Sequence, residues 1–144
     1  MRRILAVAST VLLALALTVP VAVAQEPYVT DISVTSAQVA RTGEVRITGT
    51  LYCQNMPDWD VGIGGQLIQA MGRKVTIRGG IGGGLHCNPN GPSYWEGWAW
   101  ADNGTFGTGW ATVQVNFGNW WCDEFGCYGQ DFGGNNFVVK VTKR

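Results

Sequence analysis

Val75-Thr76-Ile77-Arg78-Gly79-Gly80-Ile81-Gly82-Gly83-Gly84-Leu85-His86-Cys87 carries an apolar or side-chain-free residue at every odd position from 75 to 87. A period of two is the mark of a half-buried strand, and a helix cannot keep such a row on one side. The same parity runs back through the chain. Val61, Ile63, Gly65 and Leu67 share a face ahead of a turn at Met71-Gly72-Arg73. Val45, Ile47, Gly49, Leu51 and Cys53 do so against Glu44, Arg46, Thr48 and Thr50 on the other side. Cys53 and Cys87 therefore end inward-facing rows, where a bridge across the core is expected. The flanking glycines and the short length argue against a helix over Gly65 to Ala70, and Met56-Pro57-Asp58 reads as a loop.

Ile32, Val34 and Val39 fit a first strand with a break in it. Beyond Cys87, the run Asn88-Pro89-Asn90-Gly91-Pro92 ends its strand, and Tyr94 to Ala101 forms the next. Asp102-Asn103-Gly104 predicts a hairpin, because Asn and Gly tolerate the positive φ of such turns. Its expected partner carries Ala111, Val113, Val115 and Phe117 on one face. Gly129 to Asn136 is polar and rich in glycine, and Phe137, Val139 and Val141 mark a last strand. About seven or eight strands between turns predict an immunoglobulin-like antiparallel β-sandwich.

At the other end, Arg2-Arg3, an apolar run from Ile4 to Val19 and Ala22-Val23-Ala24 have the form of a secretory signal. The run is too short and too broken by Pro20 for a membrane span. The expected organisation is a signal over residues 1–24 and one domain over 25–144, secreted and free of the membrane after cleavage. That domain holds eight basic and ten acidic side chains, a formal charge of −2, which excludes a routine nucleic-acid binder. All 21 Gly and all 7 Trp fall within it.

Cys53, Cys87, Cys122 and Cys127 permit three pairings. An exported chain favours disulfides over zinc, for which the spacings and a single His are unsuited. Cys53–Cys87 with Cys122–Cys127 is the favoured set, since the second pair closes a short loop that Gly126 can turn.

Gly49-Thr50 with Cys53, Gln69 before Gly72-Arg73, Cys87 with Trp95, Gly104, Gly109-Trp110-Ala111, and the late Cys122 and Cys127 resemble the small secreted immunoglobulin-like domains of actinobacteria, which carry no assigned function. The likeness covers most of the exported part and implies a fold and an address. The late Cys-x4-Cys and its distance to the last strand are similar to neocarzinostatin-type chromoproteins, secreted sandwiches with two disulfides. The first cysteine pair is spaced far more widely here than in that family, so no binding residue is carried over from it.

The residue types point away from catalysis. His86 is the only imidazole and reads as a solvated outward residue; Ser33, Ser36 and Ser93 are the only serines after the signal. Asp58 with Asp60, and Asp123 with Glu124, read as solvated loop charge, and neither forms a dedicated calcium loop. The glycine run lacks the Lys and Ser/Thr of a phosphate cradle. No enzyme, metal or cofactor is expected.

The aromatic residues carry the functional expectation. With Trp95, Gly97 and Ala99 inward, Trp98 and Trp100 project outward beside Glu96, and Trp110 shares an outward face with Thr112, Gln114 and Asn116. Trp98, Trp100, Trp110 and Gln114 are thus the expected ligand contacts of a binding module for cell-surface glycan or protein. The competing arrangement lays the indoles over the bare glycines at 62, 64, 80, 82 and 84, as space-filling. Trp120 and Trp121 are expected to pack on the nearby disulfide. The other functional class is a carrier of a small apolar ligand in a sandwich cleft.

Overall fold

A computed structural model describes residues 23–56 and 60–144. Most of the expected export segment and the carboxylate of Asp58 lie outside the described residues. Seven strands are described: β1 (Tyr28–Val39), β2 (Val45–Gln54), β3 (Asp60–Met71), β4 (Val75–His86), β5 (Ser93–Ala101), β6 (Gly109–Asp123) and β7 (Gly126–Lys143). Their ladders close in the order β1-β2-β5-β4-β3-β6-β7. Every pair is antiparallel except β1 with β7, which are parallel and joined at Gln38↔Thr142 and Val39↔Lys143.

The all-β class and both disulfides, Cys53–Cys87 and Cys122–Cys127, agree with the sequence reading. The expected pair of separate sheets is replaced by a closed barrel, and the β3–β4 hairpin supplies the reason. It pairs without interruption from Asp60↔His86 to Met71↔Val75, so the chain never leaves one sheet for another there. Inward glycines let the strands bend at that corner: a Cβ on Gly65 would stand 1.9 Å from the carbonyl of Gln114, and one on Gly79 1.9 Å from that of Trp100. Barrel corners need such close backbone approach.

The odd-position parity holds through β2, β3 and β4. Ile47, Leu51, Leu67, Val113 and Phe117 are fully buried in the core. Trp95 lies among them, 2 % exposed, edge-on to Phe117 at 5.5 Å between ring centroids. Its Nε1 has no hydrogen-bond partner among the described residues.

Two connections differ from expectation. The turn at Asp102-Asn103-Gly104 joins no hairpin: β5 pairs with β2 and β4, while β6 pairs with β3 and β7. Asn103 instead seals the border of β4, accepting from Arg78 N at 2.9 Å and donating to Thr76 O at 2.9 Å. Residues 129–136 are strand, part of a β6–β7 hairpin that runs to its tip at Asp123↔Gly126. A register shift after Phe117 leaves Phe132 as the extra residue, and its ring is buried in the core. Such a bulge reverses which side chains face inward.

Candidate functional site

The even positions of β3 and β4 face outward, and five of them, at 62, 64, 80, 82 and 84, are glycine. The registers Gly62↔Gly84 and Gly64↔Gly82 place four of these side by side. A sheet face without side chains lets another molecule approach the backbone closely. Some of it is covered. The Trp100 ring lies 3.6 Å from the Cβ position of Gly82, and the Trp120 ring 3.2 Å from that of Gly62. A Cβ at Gly80 would meet nothing within 4 Å, and at Gly84 its nearest neighbour is the carbonyl of Val61 at 3.5 Å. Indole thus fills part of the trough and leaves part open.

The expected platform is dispersed. Trp100 shares a transverse row with Gly80, Gln66 and the half-buried Gln114. Trp98 is half-buried in the next row: its Nε1 donates to Glu96 Oε1 at 3.0 Å, and the Arg144 guanidinium sits 5.8 Å from its ring centroid. Trp110 is 66 % exposed and lines a separate shallow depression with Ile68, Ala70 and Arg78. Strand spacing and residue rise put Trp100 and Trp110 about 20 Å apart along the sheet. One small ligand cannot touch both.

A different group of residues converges at the end of the barrel where β3 begins and β4 ends. β6 pairs with β3 up to Gly62↔Gly118 and continues with β7 as a two-stranded ribbon. Cys122–Cys127 ties its tip, where Asp123 Oδ1 accepts from Phe125 N at 2.8 Å and Gly126 N at 3.1 Å. Trp121 stacks on Tyr128 across this ribbon at 6.3 Å. Trp120 lies against Gly62, Gly118 and Gly129. The glycines, not the disulfide, form the recorded seat of Trp120.

Between the ribbon and the barrel opens a cleft of about 870 Å³. Gly84 lines it with open backbone, Trp120 lies over Gly62 and Gly118, and Trp121, Asp60 and His86 also line it. Asp60 Oδ1 and His86 Nδ1 are 2.7 Å apart, both side chains largely in solvent. His86 is therefore a cross-strand partner of Asp60, not the isolated residue the sequence suggested. Asn119, with its amide nitrogen facing inward, donates to the carbonyl of Asp60 at 2.9 Å and steadies the rim. Among the described residues, those that line the cleft include no serine, threonine or cysteine. Its chemistry is that of stacking and hydrogen bonding: a flat ring can lie on indole while its polar edge meets a carboxylate and an imidazole.

A second, polar cleft of about 520 Å³ adjoins the first and shares Gly84, Leu85 and His86 with it. Arg46 and Glu96 pair across it, with Arg46 Nε donating to Glu96 Oε2 at 2.8 Å. That hydrogen bond is the largest influence on the Glu96 carboxyl; burial opposes it, and the Arg46 charge, the Trp98 hydrogen bond and the Arg144 charge leave the carboxyl below the ordinary glutamate value. The folded chain thus keeps Glu96 ionised more firmly than the unfolded chain does. The pair stabilises the fold above the ordinary glutamate range, and that contribution fades as pH falls through the lower folded value. A carboxyl-detected NMR titration should find Glu96 below the ordinary value, and Arg46→Gln should move it upward. An unchanged titration in that variant would contradict the assigned cause.

Asp123 and Glu124 sit at the exposed ribbon tip, far along β6 and β7 from Asp60. The structure therefore brings together the rim pair Asp60 and His86, and Trp120 and Trp121, from among residues that the sequence set aside as charge or packing. Compared with family models, curated proteins and solved structures, the chain matches none of them.

Proposed function

We propose that the protein is a secreted, non-catalytic binding module that seats a carbohydrate ring in the cleft between the β6–β7 ribbon and the barrel. The observation that carries this reading is the composition of that cleft: the indoles of Trp120 and Trp121 together with Asp60, His86 and the open backbone of Gly84. A pyranose ring presents apolar C–H faces and a polar edge, and this lining offers a partner to each. A wholly apolar ligand would take water from the rim's polar groups and return no hydrogen bond in its place, which is costly.

Export is supported by the signal-like start and by two disulfides, which persist in oxidising compartments. Divided at the β3–β4 hairpin and at the β1–β7 junction, the ring reads β1-β2-β5-β4 and β3-β6-β7. This is the strand order of an immunoglobulin-type sandwich, and it supports both that finer fold reading and the resemblance to small secreted immunoglobulin-like domains.

Retention on insoluble peptidoglycan, chitin and cellulose tests the proposal. Wild type should be retained on at least one of them, and Trp120→Ala should lose about tenfold in affinity, equivalent to about 1.4 kcal/mol. Equal retention of both proteins, or none on any matrix, would sink it. The carrier reading draws on one observation, a cleft volume within the range of small-molecule sites. Native mass spectrometry of protein purified from its own secretions would show the added mass of such a ligand.

A further inference from the structure

The two clefts meet at Gly84, Leu85 and His86, and strand register gives their union a direction. On the β4–β5 ladder the last recorded pair is Gly84↔Glu96, and one two-residue step beyond it brings His86 opposite Tyr94. On the β3–β6 ladder the last is Gly62↔Gly118, and the same step brings Asp60 opposite Trp120. With Asp60↔His86 paired between them, a transverse row reads Tyr94, His86, Asp60, Trp120. Alongside it runs a second row of Glu96, Gly84, Gly62 and Gly118. The outcome is aromatic side chains at both ends and polar groups between them, with the open backbone of Gly84 alongside and Gly62 and Gly118 under the Trp120 ring.

Tyr94 is 78 % exposed, an unusual setting for a large aromatic on a strand. Three strand spacings separate it from Trp120, about 14 Å, more than one sugar ring can span. Around Tyr94 the surface is hydroxyl-rich, with Thr35 and Thr48 in the same cleft. Arg46 is ion-paired with Glu96, and His86 and Asp60 share a hydrogen bond. Paired charges offer little to an ionic ligand, yet their remaining lone pairs and N–H groups still serve hydroxyls.

We infer that the two clefts form one groove for a linear, uncharged, hydroxyl-rich glycan, with Tyr94 as a second ring seat beyond the one at Trp120. This rests on the carbohydrate reading of the first cleft. Two linked seats raise affinity for a ligand long enough to reach both and do nothing for a short one.

The test compares dimers and hexamers of the cello-, chito- and xylo-oligosaccharide series by titration calorimetry with the exported domain. The hexamer of at least one series should bind about tenfold or more tighter than its dimer. Tyr94→Ala should bring the hexamer down to the dimer's level, leave the dimer unchanged and keep the melting temperature. Tyr94→Phe should retain the hexamer's advantage, because the ring face remains. Equal affinity for dimer and hexamer, or a hexamer indifferent to Tyr94→Ala, overturns the second seat and leaves the first cleft standing. No binding in any series removes both readings together.

Discussion

Replacing Cys53 and Cys87 together by alanine should cost about 4 kcal/mol of stability, from the loss of a cross-link between residues 34 apart. For a domain of this size that corresponds to a melting temperature lower by about 15 °C. The bridge ties the end of β2 to the residue just past β4, with Cys87 fully buried. Its removal therefore also takes packed sulfur out of the core. The Cys122–Cys127 bond joins residues 5 apart, and its loss should cost about 2 kcal/mol. It lies in the ribbon beyond the barrel, so most of its effect should fall on the ribbon's order and on the cleft that the ribbon walls. Scanning calorimetry of the two double variants would check this. A Cys122/Cys127 variant less stable than the Cys53/Cys87 variant would contradict it.

Gly49→Ala should be strongly destabilising for a single added methyl, at about 3 kcal/mol or more. The added Cβ would stand 1.9 Å from the carbonyl oxygen of Ser33 and 2.5 Å from the indole of Trp95. The first neighbour is backbone and the second is a fully packed ring, so neither can retreat cheaply. Gly80→Ala supplies the contrast. Nothing lies within 4 Å of its Cβ position, and the change should be neutral or stabilising by a few tenths of a kcal/mol, since glycine weakens a strand interior. Urea midpoints separate the two outcomes. A Gly49→Ala midpoint matching wild type would show that the seat of Trp95 is looser than its geometry implies.

The barrel's best-read element is the β3–β4 hairpin. Its turn at Met71-Gly72-Arg73 and the odd parity on both sides fix which faces meet, but a turn centred on Gly72 would set Asp60 opposite Gly84; the loop is Gly72-Arg73-Lys74, and Met71↔Val75 carries the register to Asp60↔His86. The β5–β6 connection was not legible in the same way. Asn103-Gly104 has hairpin chemistry, but Asn103 uses its side chain on the backbone of β4, and the chain crosses over to β3 and β7. Local propensity names a turn; it does not name the strand that follows as a partner. Phe132 shows a further limit. It departs from the parity of Phe137, Val139 and Val141, and only the register shift after Phe117 explains how all four face inward.

The spread of the aromatic residues over the sheet has a related reason. Strand parity correctly turned Trp98, Trp100 and Trp110 outward, but it carries no information about which strands are neighbours. Strand order separates Trp100 from Trp110 by two intervening strands, and Arg144 and Glu96 engage Trp98. Trp120 and Trp121 gain their place at a cleft because β6 outlasts its pairing with β3. That overhang is a property of two strand lengths compared, which no single segment displays.

The parallel junction of β1 and β7 comprises two residue pairs, with the Thr142 hydroxyl on Ala37 O at 3.4 Å and Arg144 N on Val39 O at 3.0 Å. Every other stave of the cylinder is held along a much longer ladder, so this one should part first in amide exchange. Once parted, the molecule is an open sheet with two bare borders, and two copies in that state can each accept the other's β1. Concentrated, warmed samples should therefore form strand-exchanged dimers that dilution releases slowly, with the glycine trough intact in each half.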